Sequence, residues 1–249
     1  VKTVAAVLLT ALAVLAGRAA TGQPALETDL ELVLAVDASG SVNTQEFNLQ
    51  LDGIAAGLRD RSVLEAIRSG PNGRIAINLL VWAEARWPKD MTGWLVIADA
   101  DDAERAAGII EDHPRRLNGG TGLGDGLASS LRSITGNSIR SLRQVVDISG
   151  DGRETTPREF SVLISQARAM AVARGVTVNG LAILNEDAGL ADYYRNQVQV
   201  GPGSFTMSAA DYDDFAESMR RKLLREISYH PVARSAPARP APAQHVQMR

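Results

Sequence analysis

The sequence predicts an α/β domain: a mostly parallel central sheet with helices on both faces. Three observations carry that prediction. Apolar runs of strand length alternate with helical patterns through the middle of the chain, which is the signature of βαβ units. Helix-start and turn residues punctuate the alternation. The composition, 45% apolar and 22% charged over 249 residues, is that of an ordinary globular protein. That length suits one large domain or two small ones.

Residues 30–36 (LELVLAV) read as the first strand, and 43–59 as a helix in which Asn43 and Glu46 form a capping box. Residues 74–82 give a second strand and 94–97 a short third, placed as an antiparallel edge. Residues 98–112 and 122–134 have helical periodicity. The strand 144–149 follows. Thr156-Pro157-Arg158-Glu159 is expected to start a helix ending near Gly175, because it offers a cap, a first-turn Pro and a Glu at the third position. Residues 176–184 form the next strand, 187–196 a short helix and 204–207 the last strand. The closing amphipathic helix is expected over 211–227, capped by Ser208 with Asp211. No internal repeat is present.

The two ends read differently. Lys2 followed by an uncharged apolar stretch over 4–17, then small residues near Ala19 and Ala25, has the pattern of a signal peptide over 1–25. The stretch is short for a membrane span, although an uncleaved anchor is the alternative. Residues 231–249 are rich in Pro and Ala without apolar periodicity, so a disordered tail is expected there. The domain itself is expected over 28–230, in a periplasmic or secreted protein with no stable membrane insertion after cleavage.

The chemistry concentrates in three places. Asp37-Ala38-Ser39-Gly40-Ser41 sits where a buried strand turns into a helix, and it puts one carboxylate and two hydroxyls on a tight loop. Hard cations of the Mg²⁺ type want oxygen ligands and keep some of their waters. Gly119-Gly120-Thr121-Gly122-Leu123-Gly124 opens a helical segment. Val145-Val146-Asp147-Ile148-Ser149-Gly150-Asp151-Gly152 is a strand ending in Asp-Gly. In parallel sheets, ligands bind outside the carboxyl ends of the strands, where Asp37 and Asp151 both fall.

Taken in order, these three pieces resemble the metal-ion-dependent adhesion site of von Willebrand factor A domains, whose sheet is Rossmann-like. The resemblance covers roughly residues 29–228, and the C-terminal part is similar to a little-characterised bacterial family of secreted proteins of this kind. It implies that Ser39, Ser41 and Thr121 are hydroxyl ligands of a Mg²⁺ ion, with Mn²⁺ or Ca²⁺ as alternatives. It implies that Asp37 and Asp151 act largely through metal-bound waters. It further implies a protein partner that presents a Glu or Asp carboxylate. One departure is Gly150, where the wider family often has Thr.

Each piece also has a plainer reading. Ser39 and Ser41 suit the start of a helix, Thr121 a helix cap, and Asp151 a turn. Asp125, one turn beyond Thr121, either supports a ligand or complements the helix dipole. Asp147 lies inside an apolar strand and needs a partner, for which Arg143 or Arg153 is the expectation.

Other function classes find less support. A formal charge of −3 gives no basic footprint for nucleic acid. No cysteine occurs, and of three histidines His230 and His245 lie at or beyond the domain's end, which disfavours zinc. No Gly-x-Ser-x-Gly elbow, dinucleotide fingerprint or phosphate loop is present, and His113 precedes Pro114 in a loop. The expectation is a non-enzymatic, metal-dependent binding module. The alternatives are a metal-assisted phosphoryl-transfer or hydrolytic enzyme at the same rim, or a domain whose cation only stabilises its loops.

Overall fold

The computed structural model describes residues 25–229. The expected signal peptide, apart from Ala25, and the expected tail lie outside the described residues. A single seven-stranded sheet organises the rest. In chain order the strands are β1 (Glu27–Asp37), β2 (Ile75–Trp82), β3 (Asp90–Met91), β4 (Leu95–Ile97), β5 (Arg140–Gly150), β6 (Thr177–Ile183) and β7 (Thr206–Ala209). Their spatial order is β3-β2-β1-β5-β6-β7, with β4 also paired to β2. The β2–β1, β1–β5, β5–β6 and β6–β7 pairings are parallel. Only β3 and β4 run antiparallel, both on the outer side of β2, so the expected mostly parallel sheet with an antiparallel edge is what forms.

Strand alternation sorts the side chains onto two cores. Leu30, Leu32, Leu34 and Val36 of β1 join Ile75, Ile77, Leu79 and Val81 of β2 beneath α1 (Thr44–Arg59), α2 (Arg61–Arg68), α3 (Ala100–Glu111) and α7 (Phe215–Ser228). Val33 and Ala35 instead join Leu80, Trp82, Val146 and Ile148 beneath α4 (Leu123–Thr135), α5 (Ile164–Arg174) and α6 (Leu190–Tyr193), which runs on into a π-helical turn over Tyr194–Val198. Helices therefore cover both faces.

Local signals explain most boundaries. The Asn43–Glu46 capping box starts α1 as expected. Asp60 ends α1 and begins α2, accepting from the N–H groups of Ser62 and Val63; α2 is an element beyond those expected. Two expected helix starts are corrected. Thr156 to Glu159 does not open α5. Glu154 takes the Gly124 and Thr156 N–H groups, and Asp125 takes that of Val162, so the chain is held against the start of α4. Only a 3₁₀ turn forms (Arg158–Phe160), and α5 begins at Ile164. Likewise α7 begins at Phe215 rather than 211, and Ser208 lies in β7 instead of capping it. Asp211 accepts from the Asp214 N–H and Asp214 from that of Ala210, which folds 210–214 into turns.

Asp147 has a different partner from the one expected. It is buried beneath α7, where Lys222 Nζ lies 2.6 Å from its Oδ1 and 2.7 Å from Glu226 Oε1. Asn179 Nδ2 donates to the same Glu226 oxygen at 2.8 Å. Arg143 instead caps α7 by donating to the Glu226 carbonyl at 2.6 Å, and Arg153 pairs with Asp187 at 2.7 Å. Burial, then the Glu226 carboxylate, push the Asp147 carboxyl above its usual range.

Candidate functional site

The strand order reverses its direction of growth between β1 and β5, since β1 pairs with β2 on one side and β5 on the other. Loops leaving the carboxyl ends of these two strands diverge and leave a crevice. Asp37 closes β1 and Asp151 follows β5 there. The backbone of the first loop is anchored on several sides. Ala38 N–H donates to the Trp82 carbonyl at 2.8 Å, and Gly40 N–H to the Gly119 carbonyl at 2.7 Å. The latter bond ties the Asp-x-Ser-x-Ser loop to the Gly-rich loop. At Gly40 a Cβ would lie 3.2 Å from that carbonyl oxygen, so the loops approach closely.

Asp37 Oδ1 accepts the Ser39 N–H at 2.7 Å, curling the loop back on its own carboxylate. Ser39 Oγ lies 3.3 Å from Ser41 Oγ, and Ser41 Oγ donates to Asp151 Oδ1 at 2.7 Å. Asp151 Oδ2 in turn accepts the Tyr212 hydroxyl at 3.0 Å. Thr121 is nearly buried. Its N–H donates to Thr155 Oγ1 at 2.8 Å, while Thr155 N–H returns a bond to the Thr121 carbonyl at 3.0 Å. A Cβ on Gly152 would be 3.6 Å from Thr121 Oγ1, so this hydroxyl stands beside the Asp151-Gly152 turn. The structure thus links Ser39, Ser41 and Asp151 directly and brings Thr121 alongside.

The plainer readings meet specific geometry. The cap of α1 is Asn43, so Ser39 and Ser41 lie upstream of it. The residue capping α4 is Gly122, with no side-chain cap bond. Asp125, by contrast, is occupied by the Val162 N–H, a structural use.

Electrostatically the rim is a pocket of negative charge facing hydroxyls. Asp37 and Asp151 are both essentially inaccessible to solvent, at 0% and 1% exposure. Burial first, and the Asp151 charge second, push the Asp37 carboxyl up to about 7. Asp37 Oδ2 has no hydrogen-bond partner among the described residues. Burial and Asp151 also raise the Tyr212 phenol well above its ordinary range. The donor set is hydroxyl-rich: among the described residues there is no group of three or more His, Cys, Asp or Glu side chains arranged to hold a metal.

Sequence reasoning missed three residues that shape this rim. Arg115 donates to the carbonyls of Ala38, Ser39 and Val42, the last at 2.6 Å, and so fastens the first loop. Tyr212 fixes Asp151. Glu84 Oε2 accepts the Gly120 N–H at 3.2 Å, which seats the Gly-rich loop. Nothing local in the sequence marks them, because each reaches the rim from another element.

With that geometry in view, comparison with known proteins adds the following. A family model described as "Protein of unknown function (DUF1194)" matches residues 27–231. No curated protein matches the chain. Among solved structures, a pilus adhesin, SpaC from Lactobacillus rhamnosus GG, is similar with a TM-score of 0.57 at 13% identity, over 81% of this chain and 31% of that one. A von Willebrand factor type A protein from Catenulispora acidiphila is similar with a TM-score of 0.54 at 16% identity, over 80% and 43%. Proximal thread matrix protein 1 from the mussel byssus, with a zinc-occupied MIDAS motif, is similar with a TM-score of 0.52 at 14% identity, over 82% and 48%. The chain thus spans less than half the length of each. At such identities the likeness shows the fold, which is that of von Willebrand factor A domains.

Proposed function

Because the chain belongs to the DUF1194 family of proteins of unknown function and has the von Willebrand factor A fold, we propose that it is a metal-dependent protein-binding module. Ser39, Ser41 and Thr121 would hold a divalent cation of the Mg²⁺ class, with Mn²⁺ or Ca²⁺ as alternatives. The observation that carries this reading is the pairing of two buried carboxylates, Asp37 and Asp151, with an unpartnered Asp37 oxygen at a hydroxyl-lined rim. Two such acids in one buried place repel each other, and a cation removes that repulsion. The residues present therefore fit the group.

When bound, the cation supplies a Lewis-acidic position for an external carboxylate. The chain's own residues set up that position. Asp37 curls the loop through the Ser39 N–H. Asp151 orients Ser41 and is itself held by Tyr212. Arg115 fastens the loop backbone. Neutral hydroxyl donors leave a cation more electrophilic than carboxylate donors do, which favours capture of a Glu or Asp side chain from a partner protein over activation of a water. A non-enzymatic role is accordingly proposed, and the adhesin among the similar structures is in keeping with it. His113, the one histidine that the sequence places inside the domain, lies 3.3 Å from Asp90.

A periplasmic or secreted location is part of the same proposal. Among the described residues no helix is long and apolar enough to cross a membrane. Osmotic-shock fractionation of the native host tests it, and retention in the cytosol would refute it.

The deciding experiment is calorimetric titration of the EDTA-treated protein with MgCl₂ and MnCl₂. One cation should bind per chain, and Ser39→Ala/Ser41→Ala should abolish it. Asp151→Ala should weaken it about 10–100-fold with an unchanged circular dichroism spectrum. Binding that survives the double serine variant refutes the site.

A further inference from the structure

Beneath the rim lies a second, fully buried polar cluster, which shares Asp37 with the site above and adds residues that the reading above does not use. Gly150 ends β5, and buried side chains from three other elements close in on it. A Cβ built there would stand 2.7 Å from Asp37 Oδ2, 2.8 Å from the Tyr194 hydroxyl oxygen and 3.2 Å from Trp82 Cζ2. The first two are closer than a real Cβ comes to a neighbour and the third is tight, so the position favours glycine. Asp37, Trp82 and Tyr194 are each 0% exposed. Asp37 Oδ2, Tyr194 Oη and Trp82 Nε1 are all without a hydrogen-bond partner among the described residues. One buried acceptor and one buried donor, Asp37 Oδ2 and Tyr194 Oη, therefore close on the same point beside the Trp82 ring, and the three residues come from β1, the segment after α6 and β2.

Buried polar groups are rarely left unpaired, and a phenol that served only to fill space would be replaced by Phe without loss. The fold goes out of its way to put this hydroxyl here. Tyr194 begins the π-helical turn after α6, a turn type used sparingly and often next to functional sites. Its ring is cleared by a second glycine: a Cβ on Gly180 would lie 2.6 Å from Tyr194 Cδ1. The preceding Tyr193 hydroxyl accepts the Glu154 N–H at 3.3 Å, which fixes the same segment to the Asp151 loop.

We infer that Tyr194 is a positioning residue for Asp37: its buried hydroxyl donates toward Asp37 Oδ2 beside Gly150 through one buried water. The Tyr194 hydroxyl and the Asp37 oxygen supply the two polar partners that such a water needs. The consequence is that Asp37 keeps one oxygen on the Ser39 N–H and the other pinned from below, so its carboxylate plane is set before any cation arrives. Outer hydrogen bonds of this kind orient the groups around a metal and tune affinity for it. The functional half of the inference rests on the cation site proposed above; the contact between Tyr194 and Asp37 does not.

The test separates the two. In EDTA, melting temperatures of the wild type, Tyr194→Phe, Asp37→Asn and the double variant form a cycle. The two shifts should be clearly non-additive, because the substitutions disrupt one shared interaction. Additive shifts overturn the inference and reduce Tyr194 to packing. Calorimetry with MnCl₂ then reads the function: Tyr194→Phe, which keeps the ring, should weaken Mn²⁺ binding about ten-fold, whereas Tyr229→Phe, at the exposed end of α7, should leave it within about two-fold. Non-additive melting with unchanged Mn²⁺ affinity overturns the positioning role. A wild type that binds no Mn²⁺ refutes the proposed function, while the metal-free cycle still decides whether Tyr194 holds Asp37.

Discussion

Replacing Lys222 by Met should destabilise the domain strongly at neutral pH and progressively less in acid. Lys222 is the cation of a buried triad: its Nζ lies 2.6 Å from Asp147 and 2.7 Å from Glu226, and all three residues are at most 1% exposed. Methionine preserves the length of the apolar stem but removes the charge, leaving two carboxyls buried with only Asn179 to assist. Breaking a buried ion pair on one side costs about 3–5 kcal/mol. With a urea slope of about 2–3 kcal/mol/M, that corresponds to a fall in the unfolding midpoint of about 1.5 M. The pH dependence follows from the direction of the shifts. Asp147 already sits above its usual range through burial and Glu226, and losing Lys222, which holds it down, raises it further. Folded acids with raised pKa values hold protons that the unfolded chain releases, so stability is lost as pH rises. Urea titrations in EDTA between pH 5 and pH 8 should show the deficit of Lys222→Met growing with pH. The triple variant Asp147→Leu/Lys222→Met/Glu226→Gln, which keeps an acceptor for Asn179, should recover most of the loss. A deficit under about 1 kcal/mol, or one independent of pH, would refute the argument that the lysine neutralises this triad.

Two further outcomes follow from the structure. The Asp37 carboxyl is raised from its ordinary 3.8 to about 7 by burial and Asp151, so its contribution to stability is full below about pH 4 and lost as pH rises through about 7, a span worth about 4 kcal/mol. Thermal scans in EDTA should show this decline, Asp37→Asn should flatten it, and saturating Mg²⁺ should oppose it; a stability that rises over this window in EDTA would count against the buried-acid account. Gly53 lies inside α1, where Ala is ordinarily better by about 1 kcal/mol, but a Cβ there would meet Phe215 Cδ1 at 2.8 Å and the Ala216 Cα at 2.9 Å. Gly53→Ala should therefore destabilise by about 1–3 kcal/mol, measured by urea denaturation, and a stabilised variant would show that α7 yields easily.

The parts of this molecule that a sequence displays well are those whose signals are local. The buried strands 30–36 and 74–82 and the Asn43–Glu46 box were legible because apolar alternation and capping act between near neighbours. The order of the three oxygen-bearing motifs at strand ends was legible for the same reason, and their meeting at one rim followed from parallel-sheet topology. What escaped was long-range. The start expected for α5 carried strong cap signals, but Asp125 and Glu154 bind the chain around it from 30 to 37 residues away or across the rim. The partner of Asp147 came from α7 rather than from either nearby arginine, since its side chain points to the face that α7 covers. Gly150 looked like a departure from the wider family, yet the space it leaves is occupied from below by Tyr194.

The margins of the sheet have a consequence for how such a domain joins larger structures. On one flank the outer side of β2 is taken up by two antiparallel pieces, β3 and β4, of two and three residues. On the other flank the last strand, β7, is only four residues long. An open strand edge is what allows one chain to template another, and short or covered edges suppress that. Among the described residues neither flank offers a long run of free backbone groups to accept an added strand from a neighbour. Association by sheet extension is thereby disfavoured, and a chain arranged in this way can sit at high density among its own kind without zipping into fibres, leaving side-chain surfaces and loops as the means of contact.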